Sequence, residues 1–561
     1  MADEDVRVPT GQSLKYGQYF DEKTKFEDII DKIGSNGRFQ MRMNVIFNFV
    51  TLTLSAMSAF ATLIALTVPP HWCHVPGRET TNMTMEMWKS LTIPRDERGY
   101  SKCLMKTPGN ENVTMSCTHE WEYDDTWFSS TAASQANWVC DKRMYSNKLY
   151  SISRFASIPF GVMLFYCGDR FGRKKQFLLS ITVIAISRTL LTVSAGVYPL
   201  YVALSALSEA PGMPCIESTT AIGIELAGMK HRSYVNFLAI ASYCIGSIGM
   251  GLIAWTLRNW VHFVLAASVP CFIPLLLHRY LPESPRWLLS KGRPDEALKI
   301  LERVAATNGK PLPPDTTMKL KFLCHQRTPN MGIINILTNR NLFKNTILLV
   351  ISRSASSLVI FTLLMNSRSF GENPFIVYIA QGILKFFAGY AVHIIGNRIG
   401  RRITHCFILL TAAAVCVVLV FLTANTFPQW MLTTASLLLQ FCASSSLSLT
   451  NLQSIEIHPT CIRQIAIAIE YVVVQCVMCS PPYLAYMGAT SGLYYMFGVL
   501  AVVTLATSIL MSFLPESLNE KLPETLKDAS TYGCDQKFWS LPRRRPSISE
   551  RDTLYKYDFE K

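Results

Sequence analysis

Gly168-Asp169-Arg170-Phe171-Gly172-Arg173-Lys174-Lys175 returns as Gly396-Asn397-Arg398-Ile399-Gly400-Arg401-Arg402, 228 residues further along the chain. Two more signatures repeat with it. Glu225, seven residues before Arg232, returns as Glu456, seven before Arg463, at an offset of 231. Leu281-Pro282-Glu283-Ser284 returns as Leu514-Pro515-Glu516-Ser517 at an offset of 233. Three motifs in one order at nearly one spacing mean a duplicated unit in a single orientation.

What surrounds the motifs is strongly apolar. Of 561 residues, 50% are hydrophobic and only 16% charged, so long stretches are left free of charge. Runs near twenty residues, long enough to cross a bilayer as helices, are expected at 44–68, 147–167, 177–196, 198–224, 236–256 and 260–280. A second set is expected at 345–365, 374–395, 403–424, 428–450, 464–487 and 492–513. The fold class expected is an all-α membrane protein of twelve helices in two pseudo-symmetric six-helix bundles. In a membrane, parallel repeats of this kind build transporters. The chain then divides into a cytoplasmic N-terminus (1–43), an N-terminal bundle (44–280) and a cytoplasmic linker (281–344). A C-terminal bundle (345–513) and a cytoplasmic tail (514–561) follow.

The formal net charge of +14 raises nucleic-acid binding, but the basic residues sit in short loops on one side. That distribution sets membrane orientation and contact with anionic lipid headgroups, and nucleic acid is not expected as a partner. The large loop, 69–146, falls on the other side. It holds Cys73, Cys103, Cys117 and Cys140 and two glycosylation sequons, at Asn82 and Asn112. Oxidising surroundings favour two disulfides there, with three pairings open. No metal-ligand spacing, cofactor motif or nucleophile motif is present, so neither metal, cofactor nor enzymatic activity is expected. In the linker, Pro294, Asp295 and Glu296 open an amphipathic helix with apolar residues at Ala297, Leu298, Ile300, Leu301, Val304 and Ala305. In the tail, Arg543-Arg544-Arg545-Pro546-Ser547 is either a basophilic kinase site at Ser547 or a solvated segment.

The chain resembles the organic cation/anion transporter family, solute carrier family 22, of the major facilitator superfamily. Gly168–Lys175 resembles the superfamily gating loop. Pro282-Glu283-Ser284-Pro285-Arg286-Trp287-Leu288 is shared with sugar porters, and Glu456-Ile457-His458-Pro459-Thr460 with Arg463 resembles a family motif before span eleven. The loop ending in Trp138-Val139-Cys140-Asp141 is similar to this family's and unlike a sugar porter's. The resemblance implies alternating access at the plasma membrane, both termini cytoplasmic. It implies a gate made by Asp169, Arg170, Arg173, Glu225, Arg232, Glu283, Arg286, Asn397, Arg398, Glu456 and Arg463, bonding to the opposite bundle. Two positions depart from the family pattern: Phe165 stands where a glycine is usual, and His458 replaces a tyrosine.

Charged groups inside a membrane cost at least about 2.5 kcal/mol each and face a cavity or a partner. Arg154, Arg188, Glu209, Glu217, Arg353, Lys385 and Glu470 all fall in spans. At the span-eleven position matching the family's charged residue stands Gln475. Two readings follow. A zwitterionic substrate would place its carboxylate on Lys385 or Arg353 and its amine on Glu217 or Glu470, with Phe361 and Tyr378 as an aromatic wall. Otherwise the charges pair with each other. The expected function is transport of small organic ions, cationic or zwitterionic amines first. The alternatives are an organic anion transporter and a receptor or scaffold that moves no solute.

Overall fold

The computed structural model describes residues 26–536 except for short breaks at 79–80, 82, 97–98, 108–109, 229–230, 326–332, 368–372, 426, 460–462, 519, 521–522 and 524–525. Ser547 and Asn82 lie outside the described residues. Asn112 lies on a strand, Asn110–Ser116.

Among the described residues, nine helices are long and apolar enough to cross a membrane. Three further segments complete the twelve. Span two (Tyr145–Phe171) is long but carries charge, span four is broken into Tyr198–Glu209 and Gly212–Leu226, and span six (Trp260–Leu276) is short. The remaining N-terminal spans are one (Arg38–Ala65), three (Arg173–Ser194) and five (Arg232–Leu257). In the second half come spans seven (Arg340–Met365), eight (Pro374–Ile399), nine (Arg401–Ala424) and ten (Gln429–Ile457). Span eleven is Arg463–Val477 continued by Pro481–Thr490, and span twelve is Leu493–Met511. The protein is a multi-pass membrane protein, and its two bundles meet along two seams, span two on eleven and span five on eight.

Each repeat copy turns sharply at a glycine between two spans. Gly172 and Gly400 have φ of 107° and 115°, a conformation side chains disfavour. One bundle end bears residues 69–146, called here the loop side; the other bears the linker and is called the linker side. The loop is not helical throughout. His71–Cys73 pairs with Trp121–Tyr123, and Leu104–Thr107 with Asn110–Ser116, as antiparallel ribbons. Disulfides join Cys73 to Cys117 and Cys103 to Cys140, with Cα separations of 5.3 and 5.6 Å. Trp138 anchors this domain edge-on between Tyr198 and Tyr201. Trp260 Nε1 donates to Gln135 Oε1 at 2.7 Å, a second tie to the N-terminal bundle.

On the linker side, Pro294–Asn308 forms the amphipathic helix, burying Ala297, Leu301, Val304 and Ala305 and ending at Gly309 in the left-handed region. Its buried face shares one core with Phe26, Ile29, Ile30 and Ile33 of the preceding N-terminal segment. Asn308 fastens the two, donating to the carbonyl of Ile33 and accepting from the Phe39 amide at 3.0 Å.

Candidate functional site

The motif charges assemble into two matching cages on the linker side, one in each bundle. In the first, Arg173 pairs with Glu225, and Glu225 also accepts from the Ser284 hydroxyl. Glu283 meanwhile caps span three, accepting from the amides of Arg173 at 2.9 Å and Lys174 at 3.2 Å. In the second, Arg401 pairs with Glu456 at 3.4 Å, and Glu456 accepts from Ser517 at 2.6 Å. Glu516 caps span nine through the amides of Arg401 at 2.7 Å and Arg402 at 3.1 Å. A carboxylate at a helix N-terminus satisfies orphan amides and meets the positive end of the dipole. The duplicated sequence thus folds into duplicated chemistry.

These bonds differ from those the resemblance implied. They close within each bundle rather than across to its partner, because each arginine has a carboxylate one helix away in its own bundle. Asp169, Asn397 and Arg398 are exposed. Arg170 is exposed too, donating to Tyr166 at 3.2 Å and lying over the Phe171 ring. Arg286 lies over Phe26. Side-chain placement of Arg232 and Arg463 falls outside the description. Arg401, Glu516, Ser284 and Ser517 were not singled out from sequence, yet adding the repeat offsets to Arg173 and Glu283 points to Arg401 and Glu516.

The bundles instead touch at the loop side and middle. Phe128 of the loop domain meets Phe375 of span eight at 4.9 Å between ring centroids. Ser151 donates to the carbonyl of Cys479 at 2.7 Å, and Gln475 reaches Ser157 at 3.3 Å. The close approach expected of a glycine at Phe165 is made one turn earlier. A Cβ on Gly161 would lie 2.3 Å from the Tyr471 hydroxyl, while Phe165 meets the same ring edge-on. These contacts close the loop side of the two seams.

Between these contacts lie the charged groups of the spans. Arg154 on span two pairs with Glu209 on span four at 3.0 Å and lies over Tyr150 and Phe361. Phe361 therefore faces a guanidinium already in the protein. Arg188 is buried and donates to the carbonyls of Ser55 at 3.1 Å and Ser208 at 3.3 Å. Arg353 on span seven holds Glu470 on span eleven, Nε to Oε2 at 2.7 Å. That N–H is not aligned on the oxygen, so the contact is ionic rather than a straight hydrogen bond. Gln475, five residues on, points across the seam instead, as the rotation of a helix requires.

Two ions remain. Lys385 on span eight reaches over Phe60 and Tyr243 of the other bundle, 5.2 and 5.9 Å from the ring centroids, and has no carboxylate partner among the described residues. Glu217 on span four lies in the field of Arg353 and Glu470 without an ion pair of its own among the described residues. Tyr378 is buried in the loop-side core shared by both bundles. Among the described residues, Arg154, Glu209, Arg188, Arg353 and Glu470 are ion-paired or hydrogen-bonded, and Lys385 and Glu217 show no ion pair.

The sequence profile of the family described as "Sugar (and other) transporter" matches residues 122–528. The chain belongs to that family. It is similar to rat solute carrier family 22 member 7, at 25% identity over 90% of this chain and 98% of that protein. Mouse solute carrier family 22 member 6 is 27% identical over 90% and 94%. The Drosophila carcinine transporter is 24% identical over 95% of this chain and 84% of that protein. The fold matches the inward-open xylose transporter XylE from E. coli with a TM-score of 0.57, at 15% identity, covering 88% of this chain and 99% of that one. This is a membrane transporter of the major facilitator fold.

Proposed function

We propose that the protein carries small organic ions across the plasma membrane by alternating access, with zwitterionic or cationic amines as the preferred cargo. The observation that carries this reading is the pair left over. Arg154–Glu209 and Arg353–Glu470 neutralise each other, whereas Lys385 and Glu217 do not. An unpaired buried charge is costly, so evolution retains one where a ligand supplies the counter-charge. Lys385 suits a carboxylate, and Glu217 suits an ammonium. Phe60 and Tyr243, edge to face at 5.3 Å between ring centroids, hold the Lys385 ammonium over their rings and so position it for a carboxylate. Similarity to a carcinine transporter supports organic ions over sugars.

Both termini are assigned to the cytoplasm, which makes the loop side extracellular and suits its disulfides. The two cages are then cytoplasmic hinge blocks. Each keeps the ends of its spans rigid while the bundles rock about the seams.

Competition uptake into proteoliposomes tests the reading with a matched set: choline as a plain cation, carnitine as a zwitterion and hippurate as an anion. Saturable uptake with carnitine or choline competing best is expected. Specific binding without flux would identify a receptor instead, and preference for hippurate would favour anion transport.

A further inference from the structure

The linker-side end of the N-terminal bundle gathers basic side chains with little acid to balance them. Arg303 of the linker helix donates from Nη1 to the carbonyl of Arg279 at 3.3 Å, and its guanidinium lies 6.0 Å from the centre of the Phe39 ring. It also stands in the field of Lys174, in the first turn of span three. One side chain thereby joins the base of span one, the base of span three and the end of span six. Lys299 is exposed one turn earlier on the same helix face, and Lys175 is exposed beside Lys174. Lys175, Arg279, Lys299 and Arg303 form no ion pair among the described residues. Glu283, whose field reaches Lys174, spends its oxygens on the amides of Arg173, Lys174 and Ser284. Glu302, just before Arg303, is exposed and holds none of these cations.

Toward the bilayer core the same corner turns apolar. Ile273–Leu276, the last helical turn of span six, rests against span three. Leu276 is 80% exposed, with Ile273 and Tyr280 exposed on either side of it. On span three, Lys175 heads a stripe that runs on through Leu179, Ile186 and Val193, all exposed on one face of the helix. In a membrane these faces meet lipid chains, and a tyrosine such as Tyr280 sits at headgroup level. Two adjacent spans leave a furrow between them, here with apolar walls and a basic mouth.

We propose that this corner binds a phosphorylated inositol lipid, its phosphomonoesters on Lys174, Lys175, Arg279, Lys299 and Arg303 and an acyl chain in the furrow between spans three and six. Charge complementarity chooses the headgroup. Each phosphomonoester carries about −1.5 to −2 charge at neutral pH and takes bidentate bonds from a guanidinium. Phosphatidylserine brings one net negative charge and an ammonium that the cluster repels. A basic loop that only sets membrane orientation needs no fixed geometry. Arg303 has one, held by the Arg279 carbonyl and the Phe39 ring, so little ordering is left to lose on binding. The bound lipid ties the linker helix to the ends of spans three and six. The site does not depend on what is transported. Only its place at the inner leaflet rests on the orientation proposed above, and binding in detergent tests it apart from that orientation.

The test uses the full-length protein in detergent with a fluorescent, doubly phosphorylated phosphatidylinositol, followed by anisotropy with unlabelled competitors. Saturable binding is expected, displaced by the unlabelled lipid about tenfold or more better than by phosphatidylserine at equal total charge. Lys175→Gln and Lys299→Gln, both on the surface, should each weaken binding about fivefold, the worth of one cation at a membrane surface. Arg303→Gln should weaken it further, and Arg303→Lys should recover part of the loss. Arg340→Gln removes a charge from an exposed position at the base of span seven, in the other bundle, and should leave binding unchanged. Unchanged binding in the Lys175 and Lys299 variants overturns the proposal. Equal weakening by Arg340→Gln, or equal competition by phosphatidylserine, would show attraction by net charge alone and overturn it too. Free inositol trisphosphate competing as well as the lipid would remove the furrow from the site and overturn the lipid assignment.

Discussion

Gly161 shows how one residue sets the distance between the bundles. Its missing side chain lets Tyr471 of span eleven lie against span two, and any Cβ there would press on the phenol. Gly161→Leu is expected to wedge the seam apart at its middle, costing about 1–3 kcal/mol as overpacking does. Truncating Tyr471 to Ala in the same chain should recover much of that stability, and thermal unfolding of the single and double variants checks the coupling. The sequence pointed one turn away, to Phe165, because the gating motif is read by position and not by contact. Pairing among the buried charges was likewise closed to sequence reasoning. Arg353 and Glu470 are 117 residues apart, and which faces of two helices meet depends on rotations no local pattern encodes. What was legible was the choice itself: paired or unpaired, with the same residues named on each side.

Helix ends carry the most readable chemistry in this chain. Glu283 and Glu516 each cap a span with several amide bonds, and charge-assisted bonds of this kind contribute about 1.5–3 kcal/mol apiece. Glu283→Ala and Glu516→Ala are each expected to lower stability by about 2–4 kcal/mol, the pair summing nearly additively because the cages lie in separate bundles. Unfolding midpoints in detergent check this, and strong coupling between the two would argue for contact across the seam. Gly172→Ala should act through the same cage, since its Cβ would meet Glu283 Oε2 at 2.3 Å and its φ is 107°. The cages were legible as motifs because duplication marks them twice. Their closure within a bundle was not, since an arginine's reach to a near or a far carboxylate looks the same in sequence. The ribbons of the loop domain also escaped the all-α expectation: short strands held by disulfides leave little periodicity to read.

Over the whole molecule, twelve spans and their two-fold order follow from hydropathy and repetition, and the fold matches a transporter at only 15% identity. The conformation follows from the contacts. With the loop side shut by Phe128–Phe375 and Ser151–Cys479, a cysteine at Ser151 should oxidise to the native Cys479, whose Sγ lies 3.4 Å from the Ser151 carbonyl. Ser151→Cys is expected to arrest uptake under oxidising conditions and to recover on reduction; uninterrupted uptake with the cross-link formed would contradict a rocking motion at this seam. The central claim concerns the charges left unpaired, and Lys385→Glu tests it most directly. In proteoliposomes holding equal amounts of folded protein, the variant should lose carnitine uptake about tenfold or more, the worth of a charge-assisted bond, while choline uptake holds or rises. An equal fall in both would show that Lys385 only supports the fold and does not read the substrate.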